Sequence, residues 1–279
     1  MSALSVRRAE RRDVDFLCEL VNNPDIQPFL GGRAPREREA LLAEIDRSTN
    51  DPRAYGRFVI EVGGERVGSL GFEQENARSR IARLERLAVH PEHRGRGIAE
   101  QAARWFQRHL LLELGYHRLE LEIYAFNERA LRHAERAGFV REGVKRKAYL
   151  RHGAWADSVL YALVWEDLDV GGADLLQAYV AAHNEGVRTG NWEGLGPYFA
   201  EDAELVFEGP PVGPFRGRDA IVAAYRTQPP DDTVELLEVA EQDGAVTAGY
   251  AWSADPETRA GELRADLRDS EIVRLVVRI

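Results

Sequence analysis

Apolar positions along the first 169 residues alternate between strand-like and helix-like spacing. Strands show an apolar residue at every second position, whereas helices show them three and four residues apart. The predicted strands are residues 4–9, 57–62, 65–72, 81–89, 118–125, 139–146 and 155–165. The predicted helices are residues 13–22 with Asp13 as N-cap, 35–47, 98–114 and 127–137. Gly63-Gly64 between two strand-like runs predicts a tight hairpin. Strands with helices interposed predict a mixed α/β sheet.

A different order of elements follows residue 169. The predicted elements are helices 175–189, 192–199 and 219–226, and strands 203–208, 233–241, 245–253 and 262–279, the last bent or broken near 269–271. Helices first and then a meander of strands predict an α+β unit with its helices packed on a curved sheet. The segment DVGGA at 169–173 is the predicted linker. We therefore predict two domains, residues 1–169 and 170–279.

Composition and charge narrow the class of protein. A chain with 44% hydrophobic and 30% charged residues is typical of an ordinary globular protein. Residues 1–169 hold 28 basic and 27 acidic residues, whereas residues 170–279 hold 9 and 20, a net charge of −11. Such an acidic unit repels phosphates, which argues against nucleic-acid binding. Neither a membrane-spanning run nor a secretory signal is found, so we expect a cytoplasmic protein.

The single cysteine limits the chemistry further. Cys18 alone excludes an internal disulfide framework and a clustered thiolate metal site. It lies in an apolar-periodic stretch, so we expect it to be a buried small hydrophobe.

The segment LERLAVHPEHRGRGIA, residues 84–99, carries the clearest chemical signal. It ends a predicted strand and opens a predicted helix, with Gly95 and Gly97 two residues apart. Glycines allow a ligand to approach the backbone, and amide N–H groups at a helix N-terminus bind anions. Arg94 and Arg96 add positive charge. This combination predicts a pyrophosphate site, although a flexible helix cap alone would also need glycines.

This segment resembles the signature of the GNAT acetyltransferase superfamily, Q/R-x-x-G-x-G/A. The matching residues are Arg94, Gly95, Arg96, Gly97, Ile98 and Ala99. Val89-His90-Pro91 before it, Asn127-x-x-Ala130 with Gly138-Phe139 after it, and Glu142-Gly143 also resemble the family, in the same order. The closing DSVLYAL at residues 157–163 looks most like the branch that acetylates ribosomal-protein amino termini. The resemblance covers residues 4–167 and implies a mixed, largely antiparallel sheet with flanking helices.

The resemblance also implies roles for the matching residues. The backbone of Leu87, Ala88 and Val89 would pair with the pantetheine arm of acetyl-CoA, and residues 94–99 would hold its pyrophosphate. Asn127 would contact the cofactor near its thioester, although it also fits an ordinary helix N-cap.

The sequence identifies the general acid and the general base of the reaction less clearly. Family members often use a glutamate where Glu85 stands, on the strand leading into the loop, and we expect it to share a face with Leu87. A solvated or ion-paired strand glutamate is the alternative. Many members carry a tyrosine where this chain has Ala134, so the general acid is unassigned. His90, Glu92 and His93 suggest a metal, but the ligand set is incomplete, and we predict none.

Residues 172–279 resemble the SnoaL-like and nuclear transport factor 2-like fold, also shared by ketosteroid isomerase. The resemblance rests on WEGLGPYFAEDA at 192–203 and FRGRDAI at 215–221. It implies a cone that can bind an apolar small molecule, and often a homodimer. The candidate acid or base residues are Tyr179, His183, Glu208 and Asp266, with His183 expected to be structural. The aromatic residues Tyr179, Trp192, Tyr198, Phe199, Phe207, Tyr225, Tyr250 and Trp252 are expected to be core.

The leading hypothesis is an acetyl-CoA-dependent N-acetyltransferase that modifies a primary amine of a small molecule or peptide, with a C-terminal ligand-binding or dimerising domain. One alternative is a non-catalytic protein that binds acyl-CoA or another ligand. The other is isomerase or cyclase chemistry in the C-terminal domain.

Overall fold

A computed structural model describes residues 4–30, 37–151, 153–168, 171–209, 211–269 and 271–279. The chain divides into two compact units, Met1–Leu111 with Tyr116–Leu168, and Leu112–Gly115 with Asp169–Ile279. The predicted boundary at residue 169 falls outside the described residues. The two predicted fold classes are both confirmed.

The first unit alternates strands and helices in the predicted order. Its strands are β1 (Leu4–Arg8), β2 (Tyr55–Val62), β3 (Glu65–Asn76), β4 (Ile81–Val89), β5 (Arg118–Tyr124), β6 (Val140–Arg151) and β7 (Ala154–Val164). Its helices are α1 (Val14–Asn22), α2 (Arg38–Asn50), α3 (Ile98–Arg108) and α4 (Glu128–Arg136). The predicted start of α2 at Pro35 lies outside the described residues. A π-helical turn, His109–Glu113, extends α3 almost to its predicted end.

These strands form a seven-stranded sheet within the described residues, in the order β1-β2-β3-β4-β5-β7-β6. Among the described pairs, β4 and β5 alone run parallel. Neighbouring residues of a strand face opposite sides of a sheet. Val59 accordingly packs with α1 and α2, while the ring of Phe58 lies 5.3 Å from that of Phe106 in α3. Helices therefore cover both faces of the sheet.

Two local predictions in this unit have clear outcomes. Asp13 occupies the N-cap position of α1, but its carboxylate makes no capping bond and accepts hydrogen bonds from Arg7 at 2.7 and 3.0 Å instead. The capping role for α1 was therefore wrong, because a 3-10 turn, Arg11–Asp13, precedes the helix and the carboxylate accepts the N–H of Glu10 at 2.8 Å instead of a helix N–H of α1. Cys18 is half-buried against the core formed by α1 and α2, in line with its expected role as a small hydrophobe.

The second unit is an α+β domain. Its helices are α5 (Gly172–Thr189) and α6 (Arg218–Thr227), with a 3-10 helix at Glu193–Tyr198. Its strands are β8 (Phe199–Glu208), β9 (Phe215–Arg216), β10 (Val234–Gln242), β11 (Ala245–Trp252), β12 (Asp255–Arg268) and β13 (Glu271–Arg278). They form a sheet in the order β10-β11-β12-β13-β8-β9. The predicted break near residue 269 is a reversal of the chain, since β12 and β13 pair antiparallel.

Candidate active site

The strands β4 and β5 pair over their first three residues and then separate. Their described register comprises Ile81 with Arg118, Ala82 with Leu119 and Arg83 with Glu120, although both strands continue further. Beyond these pairs, one edge of β4 has no neighbouring strand among the described residues. A strand edge of this kind offers N–H and C=O groups that a ligand can bind as an added strand.

The direction of the backbone groups along this edge follows from one hydrogen bond. The N–H of His90 donates to the carbonyl of Val67 in β3 at 2.8 Å. Backbone groups alternate from side to side along a strand. The N–H and C=O of Val89 and the C=O of Leu87 therefore point away from β3, towards the open edge. The carbonyl of Val89 already accepts the Nε–H of Arg94 at 3.3 Å, while Ala88 faces β3.

A β-bulge interrupts β4 just before this edge. Glu85 pairs with Gly71 and Ala88 with Ser69, so two residues of β4 oppose one residue of β3, and Arg86 has a φ of 61°. The extra residue brings Glu85 and Ala88 to the same face of the sheet. Leu87, which is 38% exposed, therefore points to the opposite face. The expectation that Glu85 and Leu87 share a face was wrong, since simple alternation does not count a bulge.

The loop after β4 turns sharply into α3. Gly95 and Gly97 have φ angles of 79° and 74°, and Gly97 is the N-cap of α3. A left-handed backbone favours glycine over residues with a Cβ. The first helical hydrogen bond runs from the N–H of Gln101 to the carbonyl of Gly97 at 3.1 Å. The N–H groups of Ile98 and Ala99 therefore have no partner within the helix, and they stand at its positive end.

Three arginines surround this loop. Arg94 is half-buried and donates to the carbonyl of Asp25 at 3.3 Å, whereas Arg96 is exposed and donates to the carbonyl of Glu92 at 3.3 Å. Burial, with a contribution from the charge of Arg129, lowers the pKa of Arg94 below its ordinary value. Sequence reasoning missed Arg129, because only the folded chain brings the start of α4 near the loop. The loop combines these cations with helix N–H groups, which suits a diphosphate.

Asn127 caps α4 beside the open edge. Its Oδ1 accepts the N–H of Ala130 at 3.2 Å, and its own N–H donates to the carbonyl of Tyr124 at 2.8 Å. The Nδ2 group has no hydrogen-bond partner among the described residues. The capping function is thus present, and a donor remains available for a ligand.

Glu85 belongs to a cluster of charged groups between α2, β2 and β4. Its Oε2 lies 3.1 Å from Nη2 of Arg86, which is also 2.9 Å from Oε1 of Glu44. Arg57 is fully buried, with its Nε 3.8 Å from Oε2 of Glu44. Burial lowers the pKa of Arg57 to about 10. Burial also acts to lower the pKa of Arg86, but the charges of Glu44, Tyr55 and Glu85 outweigh it and raise the pKa.

The opening also has an aromatic and acidic wall on β5. Tyr124 stacks on Phe126 with ring centroids 5.2 Å apart, and its ring meets that of Tyr149 at 5.4 Å. Glu122 accepts the Nζ–H of Lys145 at 2.8 Å and a hydrogen bond from Ser158. Burial acts to raise the pKa of Glu122, but bonds from Lys145, Ser158 and Tyr149 outweigh it and lower the pKa. This carboxylate therefore stays charged at neutral pH.

Two further predictions concern position 134, where a general acid is missing, and the group His90, Glu92 and His93. Ala134 is buried in α4 and offers no proton. His90, Glu92 and His93 place one ligand atom each within 4.8 Å of one another. His90 Nδ1 lies 3.8 Å from Oε2 of Glu92, so three ligand atoms stand near one another at the surface, one fewer than a structural zinc site uses. Glu92 is 82% exposed, as expected of a solvated carboxylate.

In the second unit, the candidate acid and base residues lie in different places. Tyr179 and His183 line a cavity of about 260 Å³. Glu208 and Asp266 do not line it, and their carboxylates pair with Arg278 at 2.7 Å and Arg264 at 3.3 Å. The candidate carboxylates are therefore engaged outside the cavity. Five of the aromatic residues expected in the core line the cavity, and three of these, Tyr179, Tyr225 and Tyr250, are also buried core residues; the other two are Phe207 and Trp252. No helix among the described residues is long and apolar enough to cross a membrane.

Comparison with known proteins agrees with both folds. Residues 3–140 match the family model of the acetyltransferase (GNAT) domain, and residues 177–275 match that of the SnoaL-like domain. Spermidine N(1)-acetyltransferase of Escherichia coli is 25% identical over 158 residues, which are 56% of this chain and 83% of that relative. The Vibrio cholerae enzyme of the same name is 27% identical over 157 residues, 56% of this chain and 90% of that relative.

A shorter match and a solved structure complete the comparison. The uncharacterized N-acetyltransferase YokL of Bacillus subtilis is 32% identical over 84 residues, and the match spans 48% of its length. The Vibrio cholerae spermidine N-acetyltransferase in complex with CoA and spermine has a TM-score of 0.54 at 23% identity, covering 59% of this chain and 96% of that chain. At this identity, the likeness shows the fold.

The fold and the site define an N-acetyltransferase that takes its acetyl group from acetyl-CoA, as GNAT enzymes do. The first unit carries a match to the GNAT domain and the second a match to the SnoaL-like domain. The predicted kinship with the ribosomal-protein branch is not confirmed, since the relatives reported above are spermidine and uncharacterized N-acetyltransferases.

Proposed function

We propose that the first unit transfers the acetyl group of acetyl-CoA to a primary amine of a polyamine such as spermidine. The observation that carries this proposal is the open edge of β4 followed directly by the anion-binding loop. In this arrangement the backbone of Leu87 and Val89 pairs with the pantetheine arm. The loop N–H groups and arginines hold the diphosphate, and Nδ2 of Asn127 lies near the thioester.

Charge and aromatic surface support a polyamine as the acceptor. Two carboxylates stand on the strands that border the opening, Glu85 paired with Arg86 and Glu122 paired with Lys145. Tyr124 at the end of β5 and Phe126 just after it add aromatic faces. Ammonium groups are attracted by carboxylates and by the faces of aromatic rings. Named relatives act on spermidine, which is a cationic amine of this kind.

Glu85 is the proposed base, directly or through a water molecule. The amine nitrogen must lose a proton before or while it attacks the thioester carbonyl carbon. The carbon–sulfur bond then breaks, giving the N-acetyl amine and the thiolate of CoA. Since ordinary thiols have a pKa of about 8.5, this thiolate leaves readily near neutral pH and takes its proton from solvent or from the base. The reaction therefore does not require an acid at position 134.

The test is turnover of acetyl-CoA with spermidine, spermine and amino-terminal peptides, followed by release of free thiol. We expect the polyamines to be acetylated, and Glu85→Gln to lower kcat at least 100-fold without loss of acetyl-CoA affinity. Glu92→Gln is the matched control, because Glu92 is an exposed neighbour of the same loop. Acetyl-CoA binding by calorimetry without turnover of any amine would instead indicate a protein that only binds acyl-CoA. Homodimerisation through the second unit stays a prediction.

A further inference from the structure

Side-chain amines are rare in this chain and lie close together. Of its 37 basic residues, two are lysine, Lys145 and Lys147, and both belong to β6. The others are arginine, whose guanidinium group stays protonated, whereas the lysine amine is the group that becomes acetylated. A chain that transfers acetyl groups to amines therefore carries its own lysine amines on a single strand of the same sheet.

Lys145 reaches from β6 towards the opening between β4 and β5. It pairs with Ser158 in β7, which pairs with Tyr124 in β5, so these side chains share one face of the sheet. Nζ of Lys145 donates to Oε2 of Glu122 in β5 at 2.8 Å, and β7 lies between the two strands. The amine therefore lies over β5, which borders the opening, although its backbone is two strands away.

The proposed base stands on the same face as this amine. Arg83 of β4 is paired with Glu120 of β5, and the two strands run parallel. Glu85 and Glu122 each follow two residues later, and side chains two residues apart on a strand share a face. Glu85 and the amine of Lys145 therefore lie on one face of the sheet, on opposite sides of the opening.

The ion pair between Lys145 and Glu122 can open easily. The side chain of Lys145 is 50% exposed and that of Glu122 is 20% exposed. An ion pair this close to solvent contributes about 1 kcal/mol or less, and the lysine stem is long and flexible. The amine can thus move from β5 into the neighbouring opening without a change in the backbone.

We propose that Lys145 is acetylated by the acetyl-CoA bound to the same chain, a step that rests on the acetyl transfer proposed above. The ammonium group first loses one proton to Glu85 or to solvent. The bond from Nζ to the carbonyl carbon then forms as the carbon–sulfur bond breaks, and a second proton from Nζ passes to the thiolate of CoA. An amine and a thioester held in one molecule react at a high effective concentration, so Lys145 needs no binding site of its own.

Acetylation of Lys145 changes the charge beside the acceptor. An acetylated lysine is neutral and no longer forms an ion pair with a carboxylate. Glu122 keeps its hydrogen bond from Ser158 but loses its cation, so its charge becomes available to an amine substrate. The modification therefore strengthens the attraction of the opening for a cationic amine.

The test is to incubate the full chain with acetyl-CoA and no added amine, and to locate acetyl groups by peptide mass spectrometry. Lys147 is the control within the same molecule, because it is exposed two residues further along β6. We expect Lys145 to be acetylated roughly tenfold faster than Lys147, at a rate per chain that does not depend on protein concentration. Equal rates at the two lysines would indicate an uncatalysed reaction, and a rate that rises with concentration would indicate transfer between chains. Either result overturns the proposal.

Two pairs of variants test the donor and the consequence. Gly97→Glu places a carboxylate in the diphosphate loop and should abolish acetylation of Lys145, whereas Gly115→Glu, with open space at its Cβ position, should retain it. Lys145→Gln is neutral like the acetylated residue and should lower KM for spermidine about threefold, whereas Lys145→Arg keeps the charge and should not lower it. An unchanged KM in Lys145→Gln would refute the release of Glu122.

The two proposals fail separately. Acetylation of spermidine with Lys145 left unmodified would overturn the present proposal and leave the polyamine acceptor standing. Acetylation of Lys145 without turnover of any polyamine would do the reverse.

Discussion

Nη2 of Arg86 lies 3.1 Å from Oε2 of Glu85, its neighbour in the chain. Adjacent residues of a regular strand point to opposite faces, so this contact exists because of the bulge in β4. The same nitrogen is 2.9 Å from Glu44 in α2. The proposed base is therefore positioned by a charged network that also ties α2 to the sheet.

Replacing Arg86 should show how strongly Arg86 and Glu44 stabilise each other in the folded protein. Arg86→Met leaves two carboxylates beside a single cation, Arg57, and we expect the free energy of unfolding to fall by about 3 kcal/mol. Adding Glu44→Gln to this variant leaves one carboxylate, Glu85, and one cation, Arg57. We expect this double variant to recover part of the lost free energy of unfolding. Urea denaturation of the two single variants and the double variant measures the coupling. Strictly additive effects would mean that Arg86 and Glu44 do not stabilise each other.

Asp13 should make the stability of the first unit depend on acid pH. Burial acts to raise the pKa of this carboxyl, but bonds from Arg7 and the Glu10 N–H, with the charges of Arg7 and Arg66, outweigh it and lower the pKa. A lowered pKa in the folded state stabilises the fold above the ordinary value near 3.9, and this contribution is lost as the pH falls through the lower folded value.

Asp13→Asn should accordingly lower the free energy of unfolding by about 2 kcal/mol at pH 7. The difference from the parent protein should shrink below about pH 4. Denaturation in urea across this pH range measures both effects. Asp15→Asn is the control, since Asp15 is 80% exposed and should change stability by less than about 0.5 kcal/mol. A loss that stays constant down to pH 2 would rule out the charge as its cause.

Gly97 should be essential for acetyl-CoA rather than for folding. A Cβ at this position would meet only Nε2 of Gln101, at 3.6 Å, so a side chain has space but must adopt a φ of 74°. Gly97→Glu should therefore destabilise the fold by only about 1 kcal/mol while abolishing acetyl-CoA binding, because a carboxylate then stands where the diphosphate belongs. Isothermal calorimetry measures the affinity.

Gly115→Glu supplies the matched control, since this glycine has a φ of 72° and open space around its Cβ position at the far end of the same helical segment. We expect it to bind acetyl-CoA like the parent protein. Normal affinity in Gly97→Glu would mean that the diphosphate binds elsewhere.

Replacing Gly186 by alanine should destabilise the helix that contains it, which is the opposite of the usual effect. Replacing a glycine within a helix by alanine ordinarily stabilises it by up to about 1 kcal/mol. Here a Cβ would lie 2.4 Å from the ring of Trp192, which is itself buried. We expect Gly186→Ala to destabilise the second unit by about 2 kcal/mol through overpacking, measured by thermal unfolding. A gain in stability would show that the ring moves aside freely.

Local chemistry explains why the loop could be predicted from the sequence. The requirement for glycine at positions 95 and 97 and the free N–H groups at the start of α3 depend on neighbouring residues alone. The same holds for the cap formed by Asn127. The order of strands and helices also follows from local periodicity, which is why both fold classes were predicted correctly.

Other features required distant parts of the chain to meet. The bulge at Arg86 depends on the register with β3, and it reversed the expected face of Leu87. The charged network around Glu85 needs α2, and the aromatic residues expected in the core divide into core and cavity wall only when α5, α6 and the second sheet pack together. The helices, the strands and the glycine turn before α3 could be predicted from the sequence, because local backbone preferences set them. Which side chains contact one another could be read from the folded chain alone, because register and packing depend on residues far apart in the sequence.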